Sequence, residues 1–473
     1  MRTREIPFQP PEIAAEKLRD LGRLAFLDSA MVHPALGRYS YVAADPFAVF
    51  TVDAAGPRLD GEPLKATPLA ALKSLLGRFA AQVMPGLPPF QGGAMGMIAY
   101  DFGHHLETLA KPADLDPEKP TIRLGLYDTV LAFDLSERRA FLVSTGHPEP
   151  GERARADRAE ARLAAFSDKL AAPLPEPGAA AAASPGSFRW RSNFFAPRYR
   201  QGIERVREYI LDGDIFQANI AQTFTAATPA GFDPFRLYLK LRRTNAAPFG
   251  GFFDFGDLQV ASSSPERFVS VSKGVVEARP IKGTAKRSAD RTEDERLAAE
   301  LLASEKDRAE NVMIVDLLRN DIARVCEADS VEVPVLCGLE SYAAVHHLVS
   351  VVTGRLAEGR DATDLIAAAF PGGSITGAPK IRAMDIITEI ENTARGPYCG
   401  SLGYIGFDGT MDLNIAIRTV SFEKGEAKLS AGGGITVLSD PAAEYEETFT
   451  KATRVFAAFG SDDDGDGGGE GLQ

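Results

Sequence analysis

The sequence predicts a large α+β protein built in layers, and three features lead to that class. The chain has 473 residues with 45% hydrophobic content, far more than one minimal core requires, so it should fold without covalent staples. Strand-like and helical patterns follow one another in mixed order, which argues against a regular run of βαβ units. Hairpin and helix-start signals in the C-terminal half are strong enough to place single elements.

Along the chain, short apolar runs come first, Leu24 to Leu27 and Ala140 to Val143, in a region punctuated by Pro and Gly. They predict strands with a few helices. The stretch Ala171 to Ser187, AAPLPEPGAAAAASPGS, has almost nothing to bury and reads as a flexible linker. It divides the chain into an N-terminal lobe, 1–170, and a larger domain, 188–460. Residues 461–473 are acidic and Gly-rich and predict a disordered tail. Thr292 and Glu295 have capping-box spacing, and the apolar residues from Leu297 to Leu317 keep a helical period, which predicts one long helix to about Val325. The strings SLGYIGF and TMDLNIAIRTVSF flank Asp408-Gly409 and predict a hairpin. Asp440-Pro441 predicts an N-cap and first residue of a helix running to about Phe459.

A formal net charge of −13 argues against nucleic acid or an anionic membrane as partner. A local pocket can still hold a small anion. The three cysteines, Cys326, Cys337 and Cys399, form no CxxC pair and suit a reducing compartment. The six histidines show no HExxH spacing. The N-terminus lacks the apolar stretch of a signal peptide, and no run of about 18 apolar residues occurs. A soluble cytoplasmic protein is expected.

Several strings carry candidate chemistry. Glu310 shares a helical face with Met313, Ile314 and Leu317, where a carboxylate is costly unless a cation meets it; a boundary glutamate paired with arginine is the ordinary alternative. On the final helix Glu444, Glu447 and Lys451 lie off the apolar stripe, and the spacing of Glu447 and Lys451 is that of a routine surface pair. The glycines of AGGGI, Ala431 to Ile435, read as a loop after a strand, either a tight turn or a place where amides approach an anion. PGGSITGAPK, Pro371 to Lys380, spaces Gly372 and Gly377 as a Walker A loop does, but Ala378 and Pro379 stand where lysine and a hydroxyl belong. Nucleotide binding is therefore rejected in favour of a helix starting near Pro379, with its amides open to an anion. Lys282, between Ile281 and Gly283 in PIKGT, lies in a strand-like segment. Desolvation there would free a neutral amine nucleophile, whereas a strand end facing solvent would not.

Together SSSPERF (Ser262 to Phe268), ARPIKGT (Ala278 to Thr284), KDRAEN (Lys306 to Asn311), DLLRND (Asp316 to Asp321), VHHLVS (Val345 to Ser350), FPGGSITGAPK, LNIAIRT (Leu413 to Thr419), AGGGI and AEYEETFTKA resemble, in order, the chorismate-utilising enzymes. The resemblance is dense from about Gly213 to Val455 and thinner before the linker. It implies a layered αββα fold, two mostly antiparallel sheets with outer helices, and a cleft that binds chorismate and Mg²⁺. At the matching positions Glu310 and Glu447 are implied metal ligands, with Glu444 close by. Arg418, Tyr398, Lys451 and the amides of Gly432, Gly433 and Gly434 are implied partners of a substrate carboxylate, and Gly283, Thr284, His347 and Thr376 are implied pocket residues. Glu266 is the implied general acid at the departing C4 hydroxyl, a task that needs a protonated carboxyl.

Family members differ in the residue after Pro-Ile. Anthranilate synthases resemble PIAGT, and aminodeoxychorismate synthases commonly read PIKGT, as here. The resemblance implies that Lys282 attacks C2 of chorismate while the C4 hydroxyl leaves, and that ammonia then attacks C4 and expels the lysine. Gln217 stands where isochorismate-forming members carry a lysine base, and an amide cannot activate water. The implied product is 4-amino-4-deoxychorismate, on the way to p-aminobenzoate and folate. Nothing resembles a glutaminase, so a separate glutamine amidotransferase subunit is the implied partner. Some relatives bind tryptophan, and Ser29, Arg38, Tyr39, Pro248, Phe249 and Gly250 fall at matching places, although FLDSA departs from the LLES pattern of feedback-regulated members. The alternatives are an anthranilate synthase component I and a non-catalytic sensor of chorismate or tryptophan. The filled acid, nucleophile and ligand positions weigh against the sensor.

Overall fold

Strands buried at every position belong to sheets covered on both faces, and Gly93–Ile98, Ile122–Tyr127, Thr129–Asp134 and Ser401–Gly406 are buried throughout. The computed structural model describes residues 1–31, 36–174, 188–342 and 345–460. Among them it shows two sheets of twelve strands each. The first runs, neighbour to neighbour, Arg2–Ile6, Arg139–Ser144, Thr129–Asp134, Tyr39–Ala43, Ala25–Asp28, Phe249–Asp254, Leu258–Ser264, Thr419–Glu423, Glu426–Ile435, Gln217–Ala227 and Arg191–Ser192, with Gly377–Ala378 also on Gln217–Ala227. The second runs Ile281–Lys286, Val345–Arg355, Val275–Ala278, Arg267–Ser272, Met411–Asn414, Ser401–Gly406, Gly93–Ile98, Ile122–Tyr127, Ala48–Asp53, Gly56–Leu59 and Glu62–Pro63, with Glu332–Ser341 also on Val345–Arg355. Pairing in both is antiparallel.

The sheets pack face to face. Tyr41 of the first sheet meets Tyr404 of the second, and Phe90, edge-on at 5.6 Å, within a buried layer that includes Met95, Met97, Val260 and Leu402. Helices Pro11–Leu18, Glu152–Ala171, Pro234–Thr244 and Pro441–Ala457 cover the outer face of the first sheet through Phe26, Leu142, Phe224 and Leu429. Pro68–Arg78, Glu305–Ala323 and Ala362–Ala369 cover the second through Phe50, Leu124, Val271 and Leu413. Helix, sheet, sheet, helix is the expected αββα layering. No helix among the described residues is long and apolar enough to cross a membrane.

Both sheets take strands from 1–170 and from 188–460, so the boundary read at 171–187 is crossed by both and the two segments share their cores. Residues 175–187 of the expected linker, and the expected tail at 461–473, lie outside the described residues. Three local expectations are corrected. The long helix after Thr292 is two helices, Arg291–Ala303 and Glu305–Ala323, because extended Ser304 ends one and caps the next through Asp307 N. The first helix is capped by Asp290, which accepts from Glu293 N, and not by Thr292. AGGGI is no loop, since it lies within the strand Glu426–Ile435. The Asp408-Gly409 hairpin is present, and Asp440 caps Pro441–Ala457 by accepting from Ala442 N and Ala443 N.

Gly403 shows how closely the second sheet is built, because a Cβ there would overlap the carbonyl oxygen of Asp412 on the next strand. Gly403→Ala is expected to cost about 1–3 kcal/mol of stability, read from urea denaturation. An unchanged midpoint would show that the sheet yields at this point.

Candidate functional site

A cleft opens where one strand loses a neighbour. The pairing of Thr419–Glu423 with Glu426–Ile435 ends at Val420 opposite Leu429, while Gln217–Ala227 continues alongside to Ile435. Past Leu429 these pairings leave one edge of Gly432, Gly433 and Gly434 without a strand. This edge forms one wall of a cavity of about 500 Å³ that Lys282, Glu266, Glu310, His347, Tyr398, Arg418 and Lys451 also line. Glu444, Glu447 and Lys451 reach it from one face of Pro441–Ala457, since spacings of three and four stack side chains. Glu310 comes from Glu305–Ala323, and Lys282 from the edge strand Ile281–Lys286.

An acid and an amine meet in this cavity through one serine. Glu266 is 8% exposed, and Ser374 Oγ donates to its Oε1 at 2.8 Å. Lys282 Nζ donates to the carbonyl oxygen of Ser374 at 3.4 Å. Burial pushes the Glu266 carboxyl above its ordinary range, against the pull of the Ser374 hydrogen bond and of Lys282 and Arg418. Burial pushes the Lys282 ammonium down, against the pull of Glu310 and Glu266. Each group is shifted toward its neutral form, a protonated acid and a free amine. Gly283 turns at φ +79°, and a Cβ there would lie 2.9 Å from both Leu301 Cδ1 and Asp307 Cγ, so only glycine suits the position. Thr284 Oγ1 lies 2.9 Å from His347 Nδ1, and burial lowers the His347 pKa. Burial likewise lowers the Arg418 pKa, with Arg454 adding to it.

Glu310, Glu444 and Glu447 line the same cavity. Lys451 Nζ pairs with Glu447 Oε1 at 2.7 Å and donates to Gly432 O at 2.9 Å. Ser439 Oγ donates to Glu444 Oε1 at 2.7 Å. A Cβ on Gly433 would lie 3.1 Å from Glu444 Oε2 and 3.6 Å from Glu447 Oε1, so the helix acids lean over a bare backbone. Burial raises the pKa of both Glu310 and Glu444. Among the described residues no cluster of three or more His, Cys, Asp or Glu side chains is poised to hold an ion alone. Hard carboxylate oxygens, two of them on acids that burial disfavours as anions, fit a hard divalent cation that draws its remaining ligands from substrate and water.

The residues predicted for the chorismate cleft line this cavity except Thr376 and Gln217. Thr376 is fully buried, and its hydroxyl turns back to Gly372 O at 2.9 Å, while its neighbours Ser374 and Ile375 line the cavity. Asn219, Lys306 and Ser374 also line it and were not singled out from sequence. Signals existed: Asn219 is two residues along the strand from Gln217, Lys306 is one helical turn before Glu310, and Ser374 lies within PGGSITGAPK. Gln217 is 1% exposed and packs its carboxamide where a Gly434 side chain would go.

A second cavity, about 460 Å³, gathers Ser29, Arg38, Tyr39, Pro248, Phe249 and Gly250. Ser29 Oγ lies 2.7 Å from Tyr39 O and 3.1 Å from Pro248 O. Arg38 pairs with Asp134 at 2.6 Å and sits 5.1 Å from the centre of the Tyr39 ring.

Comparison with known proteins places the chain in a family. A family model described as chorismate binding enzyme matches residues 29–457. Aminodeoxychorismate synthase component 1 of Klebsiella aerogenes is 42% identical over 434 residues, covering 91% of this chain and 92% of the relative. Anthranilate synthase component 1 of Streptomyces coelicolor is 40% identical over 440 residues, covering 91% and 83%. The crystal structure of anthranilate synthase component I from Streptococcus pneumoniae superposes with a TM-score of 0.78 at 32% identity, covering 90% of this chain and 94% of that one.

Ser374→Ala removes the hydrogen bond that holds the Glu266 carboxylate down. In carboxyl-labelled protein followed by ¹³C NMR, Glu266 is expected to titrate at higher pH in the variant. An unmoved titration would mean that the serine contributes nothing to the acid.

Proposed function

The chain belongs to the chorismate binding enzyme family, and we propose that it aminates chorismate at C4 to give 4-amino-4-deoxychorismate, the precursor of p-aminobenzoate in folate synthesis. One observation carries the choice among sister reactions: Lys282, from PIKGT, stands in the cleft with its amine and the Glu266 carboxyl joined through Ser374. The aminodeoxychorismate synthase relatives at 40–42% identity support the same choice.

In this reading the neutral Lys282 amine bonds to C2 as Glu266 delivers its proton to the C4 hydroxyl, which leaves as water. Ammonia then bonds to C4 and the lysine departs from C2. Arg418, Tyr398, Lys451 and the glycine edge hold one substrate carboxylate, while Thr284 and His347 shape the pocket. Glu310 and Glu447, with Glu444 nearby, would hold Mg²⁺, which when bound would supply positive charge for the other substrate carboxylate. Gln217 gives water no base. A separate glutamine amidotransferase subunit supplies ammonia, in keeping with relatives named component 1. The second cavity takes tryptophan, supported by the six predicted residues that share it. A cytoplasmic setting suits the three free, buried cysteines.

The direct test supplies chorismate, Mg²⁺ and ammonium and identifies the product, with and without an added lyase that releases p-aminobenzoate. Anthranilate, detected by its fluorescence as the main product, would overturn the assignment in favour of the anthranilate synthase reading. Lys282→Ala is expected to fold normally and to lose at least about 10²-fold in turnover; unchanged turnover would sink the covalent route. The rate should be bell-shaped in pH, because activity falls when Lys282 gains a proton and when Glu266 loses one. Both limbs belong to the pair, so Glu266→Gln should leave a single limb. Chelation by EDTA is expected to stop turnover and added Mg²⁺ to restore it, and full activity in chelator would remove the metal from the scheme.

A further inference from the structure

The strand Gln217–Ala227 has an incomplete outer edge. Gly377–Ala378 pairs with it at Gln217 and Ala218, and Arg191–Ser192 pairs at Phe224 and Thr225. Between them side chains stand in for the missing strand: Asn193 Oδ1 accepts from Thr223 N at 2.8 Å, and two more serve Ala221 and Asn219. Glu391 Oε1 accepts from Ala221 N at 2.8 Å, and Arg395 Nη2 donates to Asn219 O at 2.6 Å. The two also pair with each other at 2.6 Å, their side chains 2% and 3% exposed. A buried ion pair is no general source of stability, so its reach within the fold matters more than its charge.

That reach ends in the cleft. Arg395 Nη1 donates to Ile375 O at 3.2 Å, the same oxygen that accepts from Asn219 Nδ2 at 3.0 Å. The residue before Ile375 is Ser374, which donates to Glu266 and accepts from Lys282. The guanidinium also lies 5.6 Å from the ring of Tyr398, a further cleft residue. One planar fork thus ties together a strand, the serine turn and an aromatic wall, which a lysine's single donor centre cannot do.

We propose that Glu391 and Arg395 are positioning residues for the reaction, holding Asn219 and the Ser374 turn so that the acid and the amine keep their places in the cleft. The proposal rests on the reading of the site given above. Misplacing a reacting group by about 1 Å costs on the order of 10²-fold in rate, and the pair touches the reacting groups only through Ile375 and Ser374.

The test removes both charges together in Glu391→Met/Arg395→Met, so that neither is left buried alone. The double variant is expected to fold but to melt below the parent, since Ala221 N and Asn219 O lose these partners, to lose about 10²-fold in kcat/KM for chorismate with ammonium as nitrogen source, and to shift the ¹³C titration of Glu266. A purely structural pair would leave that titration unmoved. A folded double variant with kcat/KM within about 3-fold of the parent and an unmoved Glu266 would overturn the proposal. If the double variant does not fold, Arg395→Lys decides: it keeps the charge, and it is expected to stay folded with reduced kcat and a shifted Glu266 titration. A parent-like rate and titration in that variant would overturn the proposal equally. A parent that forms no 4-amino-4-deoxychorismate would instead count against the reading of the site, and the Glu266 titration would still judge the pair.

Discussion

The burial of two sheet faces against each other is the interaction on which the rest of this protein depends. Met95 and Met97 of one sheet and Val260 and Tyr41 of the other are at most 4% exposed, and apolar area removed from water stabilises by roughly 25 cal/mol per Å². Both halves of the chain contribute strands to each sheet. Gly93–Ile98 lies beside Ser401–Gly406, and Ala25–Asp28 beside Phe249–Asp254, so each sheet is completed only when distant segments pair. The resulting rigid layers let a cleft form where strands run out, with its shape set by register rather than by a flexible hinge.

Inside that cleft, burial and charge oppose each other. Four glutamates and the cations Lys282, Lys306, Lys451 and Arg418 share one cavity, and desolvation is the largest influence on Glu266, Lys282, Glu310, Arg418 and Glu444. Its sign differs by type, raising the acids and lowering the amine. One physical cause thus moves Glu266 and Lys282 each toward the neutral form that the proposed acid and nucleophile would use. The protein's overall charge of −13 is no obstacle to an anionic substrate, because the field that matters is local and set by these few groups.

Much of the site was legible in sequence because its motifs are short and ordered. PIKGT, SPERF and AEYEETFTKA each supply a residue to the cavity, and the six residues read together from the resemblance share the second cavity. Misreadings came where a local pattern has two outcomes. Leu297 to Leu317 keep one helical period across a break, because periodicity does not register the extended turn at Ser304. Three glycines in AGGGI look like a turn, yet they lie in a strand, where Ile220 and Ala221 press on Gly432 and Gln217 on Gly434 so closely that neither has room for a side chain. Thr376 matched a motif but spends its hydroxyl on Gly372 O, a choice made by the turn rather than by the motif.

By itself the sequence determined the features whose causes lie within a few residues, the Asp440 cap with Pro441 and the Asp408-Gly409 hairpin, and its ordered motifs pointed to Glu266, Lys282, Glu310, Glu444 and Glu447, which the fold gathers in one cavity. Caps and turns follow from nearby hydrogen bonds and allowed dihedrals, which travel with the sequence. Tertiary structure alone decided the partnerships. Ser374 reaches Glu266 across 108 positions, and Arg395 reaches Asn219 across 176. Such contacts, and the burial that shifts each proton, arise from packing between strands far apart in the chain, and no local pattern encodes them.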